Sequence, residues 1–329
     1  MFGFDCKIGL FAGIGCAMLM QALPAAAQGA ASFPAKPVTI VMPFPAGGMG
    51  DTLARLIASQ LAAEWKQSVI VENKPGASGM IGNGAVARAA PDGYTLLIAI
   101  TQVVQAPTLI PNLQYDILKD FTPLSKLVNA RSIFVTSADS EIKSLKDYSA
   151  LAAASPGKYS FGSYGVGTTA HIQGEIFNKR NKIRATHIPY KGSAPLITDM
   201  LGGHVTLAFM DMSTTLPYLS SGKMKGYAVS GTTRSSVLPD IPTFKELGYS
   251  GFDVSGWYGL LGPANMPPDV AKKISSAAAR IVQSPEVKAK LISLGLEPEG
   301  SSAEEFAHTI ASDLVVWRGI IKEGGVKID

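Results

Sequence analysis

Followed from Lys36, the apolar residues switch repeatedly between strand-like runs and helix-like spacing. Val38 to Met42 (VTIVM) is a short β-rich run, and Pro43 to Asp51 (PFPAGGMGD) interrupts it with Pro and Gly. From Thr52 the spacing becomes helical. Leu53, Leu56, Ile57 and Leu61 form one stripe that Trp65 continues, with Gln60 and Lys66 on the polar side. Val69 to Val71 and Tyr94 to Ile100 read as further buried strands, joined by a helical link over Asn83 to Ala90. Strand, helix, strand, helix predicts a parallel, doubly wound sheet.

A second alternating set starts near Phe121. Ser144 can cap a helix through Ala154, Tyr159 to Gly162 is a strand, and Thr168 to Lys179 is helical. Thr186 to Pro189 is a strand, and Ser193 to Leu201 a helix ended by Gly202-Gly203. Val205 to Met210 and Gly226 to Ser230 are two more strands. After Trp257 to Leu261 the pattern is mostly helical, over Pro268 to Val282, Pro285 to Leu294, and Ala303 to Lys322 before Gly324-Gly325.

The composition suits a folded α/β chain. It is 47% hydrophobic and 16% charged, with 34 Gly and 21 Pro among 329 residues, unlike a disordered chain or a coiled coil. The net charge is +4, with basic and acidic residues intermixed, so nothing points to a nucleic-acid partner. The N-terminus indicates the compartment. Lys7 precedes an uncharged stretch from Ile8 to Leu23, then Pro24-Ala25-Ala26-Ala27-Gln28. A short basic region, an apolar core and an A-x-A site describe a secretory signal peptide over residues 1–27, with export to the periplasm. A retained membrane anchor competes with this reading, and the small residues with the Pro24 break favour removal. Lipidation at Cys16 is a third reading, disfavoured because Gly13-Ile14-Gly15 lacks the usual Leu. Cys6 and Cys16 both fall in this segment, so the mature chain would have no disulfide, thiol nucleophile or thiolate metal site.

Two Gly-rich turns carry candidate chemistry. Each is predicted between a strand and a helix, where free backbone N–H groups and the helix dipole suit an anion. The first is Pro45-Ala46-Gly47-Gly48-Met49-Gly50-Asp51, in which Asp51 can cap the following helix. The second runs from Gly162 to His171 and adds the hydroxyls of Ser163, Thr168 and Thr169. Either alone is equally well a tight connection; two of them, one per alternating set, favour a shared site between lobes.

Enzyme signatures are weaker. Gly165 to Ala170 fits G-x-G-x-x-A, but Arg184 to Lys191 contains no acid to hold a ribose. Phe161 occupies the first glycine position of a nucleophile elbow around Ser163. His171, His187, His204 and His308 form no metal-binding spacing, so no metal or organic cofactor is expected. An exported hydrolase using Ser163 or His171 in an interlobe cleft is the alternative function.

The strings KPVTIVMPFPAGGMGDTLAR (from Lys36), VENKPGASGMIGNGAVARAAPDGYTLL (from Val71) and YSFGSYGVGTTAHIQGE (from Tyr159) resemble the Bug-type receptors of tripartite tricarboxylate transporters. HIPYKGSAP, LPDIPTFKELGYSGFDVSGWYGLLGP and the ending IKEGGVKID continue the resemblance in order across the mature chain.

That resemblance implies a two-lobed periplasmic binding protein of type II-like fold, each lobe a sheet flanked by helices. Lobe one would be residues 28–129 plus 251–329, and lobe two residues 130–250. It implies a cargo of one small organic acid or amino-acid-like carboxylate, delivered to membrane transporter subunits by a monomeric receptor. Carried onto this chain, the carboxylate would lie between Phe44, Ala46, Gly47, Gly48 and Asp51 of the first turn and Ser163, Gly167, Thr168, Thr169 and His171 of the second. Specificity would come from an opposite wall near Thr101, Gln102, Tyr164, Tyr190, Lys191 and Asp211 to Thr214. Tyr164 departs from the small residue of many relatives, and Met212 from the amide that often follows the acidic Asp211. Tyr164 would stack on a flat acid, and Asp211 would favour a ligand ammonium or hydroxyl over a second carboxylate.

Overall fold

The computed structural model describes residues 2–3 and 33–327; the rest of the expected signal segment lies outside the described residues. The chain begins with β1 (Val38–Met42), α1 (Met49–Trp65), β2 (Val69–Asn73), α2 (Met80–Ala87), β3 (Thr95–Ile100) and α3 (Gln102–Leu109). Two adjoining strands follow, β4 (Phe121–Ala130) and β5 (Ser132–Ser137). Next come α4 (Leu145–Ala154), β6 (Ser160–Ser163), α5 (Thr169–Arg180), β7 (Thr186–Pro189), α6 (Ser193–Leu201), β8 (Leu207–Asp211), α7 (Met212–Ser220) and β9 (Met224–Val229). The chain closes with β10 (Gly256–Pro263), α8 (Pro268–Gln283), α9 (Pro285–Ser293), the short β11 (Glu297–Pro298) and α10 (Ala303–Gly324).

These strands form two sheets flanked by helices, ordered β11-β4-β10-β3-β1-β2 and β7-β6-β8-β5-β9. The expectation of parallel sheets holds only in part. β1 is parallel to β2 and β3, and β6 to β7 and β8. β10 is antiparallel to β3 and β4, and β5 to β8 and β9. The reason is the routing of the chain. β4 runs on through Arg131 into β5, leaving the first sheet for the second, and β9 to β10 is the return path. The outgoing and returning strands must oppose each other in both sheets.

Arg131 stands at this double crossing and ties its strands together. Its guanidinium donates to the Ser230 carbonyl (3.1 Å) and the Thr233 hydroxyl (3.3 Å), and more closely to the Thr233 carbonyl and Glu297. α10 binds the two halves from outside, burying Phe306, Ile310, Trp317 and Ile321. Lys179 on α5 donates to its Glu323 carbonyl at 2.9 Å, and Arg180 pairs with the Glu323 carboxylate at 2.6 Å.

Local signals set most helix ends. Ser144 caps α4 by accepting from the Asp147 N–H, and Ser302 with Glu305 forms a capping box on α10, which ends at a left-handed Gly325. The link expected over Asn83 to Ala90 instead begins at Met80, after Gly79 turns the backbone left-handed (φ 93°). α3 and α7 contain Pro107 and Pro217, which hide short helices from a reading based on periodicity.

Candidate functional site

Five strand ends open onto the space between the sheets, and a helix starts at each. β1 leads to α1, β3 to α3, β6 to α5, β7 to α6 and β8 to α7. The residues preceding these helices are Gly48, Thr101, Thr168, Gly192 and Asp211, and none uses its side chain as a cap. Open α/β sheets collect ligands at this end of their strands. A cleft lies there, with Met42, Ile100, Ala130 and Trp257 as apolar lining. Its polar lining comes from Gly48 to Asp51, Thr101, Thr169, Lys191 to Ser193, Asp211 and Tyr258. The space in it that water can occupy is about 70 Å³.

The first turn is held by Asp51, third residue of α1. Its carboxylate accepts from the Gly47 N–H (3.1 Å), Asn73 Nδ2 (2.9 Å) and Arg55 Nε (3.0 Å). Asp51 therefore does not cap its helix as expected; it reaches back and folds the turn. Burial pushes its carboxyl up, and the Arg55, Gly47 and Asn73 contacts outweigh that and hold it below the usual range. Gly47 sits at φ +90°, a conformation that disfavours any residue with a Cβ.

The second turn is built from behind by a buried pair of imidazoles. The rings of His171 and His187 stack at 3.9 Å. Ser163 Oγ lies 2.7 Å from His187 Nε2, and His171 Nδ1 accepts from the Gly167 N–H at 3.1 Å. The Thr168 hydroxyl donates to the Gly165 carbonyl at 2.7 Å. Burial lowers His171 to about 4, and burial with the facing His171 lowers His187 to about 3, so both are neutral near pH 7.

Asp211 ends β8 and faces the cleft half-buried. Its Oδ1 accepts from the Tyr164 hydroxyl (3.2 Å) and its Oδ2 from the Tyr258 hydroxyl (2.7 Å). Burial raises the Asp211 carboxyl, and the two hydroxyls partly offset this. The Tyr258 contact crosses from one sheet to the other, and Gln105 Nε2 on α3 donates to Thr169 Oγ1 on α5 at 2.9 Å.

Of the residues singled out from the sequence, Phe44, Ala46, Gly48, Asp51, Thr101, Tyr164, Thr169, Lys191 and Asp211 line this cleft. Tyr190 lines an adjoining depression, where its hydroxyl donates to Asp199 at 2.6 Å. Gly47, Gln102, Ser163, Gly167, Thr168 and His171 are not in the lining. The last four support the second turn from beneath, and Gln102 approaches the Val166 carbonyl at 3.5 Å. Met212 turns away into the core of the second sheet, not toward the expected specificity wall of the cleft. Tyr258, Met42 and Ser193 were missed. Tyr258 lies inside the unbroken apolar run of β10, and no spacing rule marks one residue of such a run as facing a ligand. Among the described residues no group of three or more His, Cys, Asp or Glu side chains could hold a metal ion.

The model of the tripartite tricarboxylate transporter family receptor matches residues 53–326. The chain belongs to this receptor family. It is similar to protein BugT of Bordetella pertussis (strain Tohama I), 33% identical over 306 residues, spanning 92% of this chain and 94% of that protein. It is also similar to the solved structure of periplasmic binding protein BugD, with a TM-score of 0.85 and 32% identity over 90% of this chain and 99% of that one. MatC from Rhodopseudomonas palustris, solved with bound malate, superposes with a TM-score of 0.83 at 30% identity over 88% of this chain and 100% of that one. The chain is thus a solute-binding receptor of periplasmic binding protein fold, in a family whose members are periplasmic receptors.

Proposed function

We propose that this receptor captures a small carboxylate in the cleft between two lobes, residues 28–129 with 251–329 and residues 130–250, and delivers it to membrane transporter subunits. The observation that carries this reading is the convergence of five uncapped helix N-termini on one cleft. A helix N-terminus carries N–H groups without intrahelical partners and about half a positive charge, worth roughly 0.3–1 kcal/mol to an anion and up to about 2 when partly buried. No side-chain cation is needed. Arg55 is engaged by Asp51, and the lining Lys191 is exposed. The malate bound by MatC belongs to the same ligand class.

A catalytic step has no support in the site. Ser163 is fully buried, bonded to the Gly165 carbonyl and His187, and outside the cleft lining. We read the protein as a monomer exported by a signal peptide cleaved after Ala27. Thermal-shift screening of mono-, di- and tricarboxylates, aromatic acids and amino acids tests the binding reading. A ligand at 100 times its Kd adds about 2.7 kcal/mol, raising the midpoint by about 5 °C for a chain of this size. A Cβ on Gly48 meets nothing within 4 Å, so Gly48→Trp should fold and fill the cleft. Unchanged affinity of the best hit in Gly48→Trp would place the ligand elsewhere.

A further inference from the structure

The depression beside the cleft is much the wider of the two, with about 590 Å³ that water can occupy against about 70 Å³. Both are lined by Phe44, Pro45, Tyr164, Lys191 and Gly192, so they adjoin along one edge. Across the depression the two halves of the protein approach each other twice. Pro45 of the first turn faces Gly192 before α6, where a Cβ would stand 3.7 Å from Pro45 Cδ. The loop between β2 and α2 faces the second turn. A Cβ on Gly165 would stand 3.5 Å from Ser78 Oγ and 3.9 Å from Ser78 Cβ. Gln102 braces the same approach from beneath. Its Nε2 lies 3.5 Å from the Val166 carbonyl, and its Oε1 would be 3.3 Å from a Cβ on Gly79.

The backbone of this loop is strained. Gly76, Ala77, Ser78 and Gly79 have φ of 133°, 46°, 51° and 93°, four positive values in succession. Glycine takes such angles freely, whereas Ala77 and Ser78 bring a Cβ against the following carbonyl. Side-chain-bearing residues persist there only where their surroundings hold them, and they recur at ligand clamps and switches. The Gly79 N–H closes the turn on the Gly76 carbonyl at 2.9 Å. Because the left-handed region is small, the backbone fixes the direction of the Ser78 side chain with little latitude. That direction brings it to Gly165, whose missing Cβ leaves the room.

We propose that residues 76–79 form a clasp on the mouth of the cleft: Ser78 bears on Gly165 across the depression, and solutes enter and leave the cleft through the depression when that contact parts. Ser78 is then a positioning residue that sets the rate of exchange and not the choice of ligand. The inference rests on the carboxylate-receptor reading for what passes the clasp. The contact itself belongs to the chain and can be followed without a ligand.

The chain from Gln28 onward contains no Cys, so a single introduced thiol can be followed alone. Ala130 is 4% exposed in the cleft lining, and Ala277 is fully buried in the core behind the first sheet. Iodoacetamide labelling of Ala130→Cys reads opening of the cleft, and labelling of Ala277→Cys reads loosening of the fold. Glycine accepts the φ of residue 78, so Ser78→Gly keeps the loop and removes only the side chain. It should speed labelling of Ala130→Cys by about five-fold or more and leave Ala277→Cys within about two-fold. Gly165→Ala should act in the opposite sense. Its Cβ fills the space before Ser78 once Thr168 Cγ2, 3.1 Å away, gives slightly, and labelling should slow by about two-fold or more. Unchanged labelling of Ala130→Cys in Ser78→Gly, or equal acceleration at both thiols, overturns the clasp; this decides even if Gly165→Ala fails to fold. A folded Gly165→Ala protein that labels no more slowly also overturns it. Met42→Cys, at a site 3% exposed in the same lining, replaces Ala130→Cys if that variant does not fold. If no carboxylate binds in the thermal-shift screen, the receptor reading falls, and the labelling rates still decide the clasp.

Discussion

Replacing Asp51 with Ala removes the acceptor that folds the first turn. The carboxylate is 6% exposed and accepts from the Gly47 N–H and Asn73 Nδ2, as well as from Arg55. Hydrogen bonds to a charged group contribute about 1.5–3 kcal/mol each. Arg55 is 54% exposed, so its ion pair adds about 0–1 kcal/mol after solvent screening. Asn73 keeps its bond to the Phe44 carbonyl at 3.1 Å, which limits the loss on that side. The expected cost is about 2–4 kcal/mol, or roughly 5–10 °C in midpoint. Ligand affinity should fall at least ten-fold, since the Gly48 to Gly50 donors lose the contact that sets their direction. Asp51→Asn keeps one acceptor and should recover part of both losses. Differential scanning fluorimetry and titration with the best carboxylate measure the two effects. A midpoint change below about 2 °C, or unchanged affinity in Asp51→Ala, would refute the argument that this network builds the turn. The network also sets an acid limit. A carboxyl held below its ordinary 3.8 stabilises the fold above that value and loses the contribution as pH falls through the folded value, so the turn should loosen only in strong acid.

The buried imidazoles act in the opposite range. With folded values of about 4 and about 3 against 6.5 for the free side chain, His171 and His187 contribute fully above pH 6.5. Stability should then fall by up to about 1.4 kcal/mol per pH unit for each as pH drops toward 4. Urea unfolding between pH 7 and pH 5 should show this slope, reduced by about half in His187→Phe; identical slopes would remove the histidines from the account. Trp257 lines the cleft, and its Nε1–H donates to Asp313 at 2.7 Å, so a bound ligand should alter its fluorescence. Trp257→Phe should abolish that change despite Trp65 and Trp317 remaining, and persistence of the full signal would assign it to them.

Much of the architecture was legible because local chemistry decides it. The 3.6-residue stripe of Leu53, Leu56, Ile57 and Leu61, the Ser144 cap and the Gly325 terminus all appear where sequence rules put them. The two Gly-rich turns were visible for the same reason, since positive φ at Gly47 and Gly167 restricts the residue type. α3 and α7 were not legible. Their internal prolines carry the signature of turns, and their packing against neighbours outweighs that local preference.

By itself the sequence determined where strands and helices alternate, which backbone segments can approach a ligand, and which family the chain resembles. Each depends on interactions within a few residues, or on a motif held contiguous in the chain. Only the tertiary structure decided that β5 and β10 run against their neighbours, because strand direction follows the route between sheets and not the residues of the strand. It also separated residues that touch the cleft from those that support it. Ser163 and His171 lie beside Tyr164 and Thr169 in sequence, yet they face inward to the stacked imidazoles. Tyr258, 47 residues from Asp211, meets its carboxylate across the gap between the sheets. Contacts made across that distance depend on how two sheets are brought together, which no local pattern encodes.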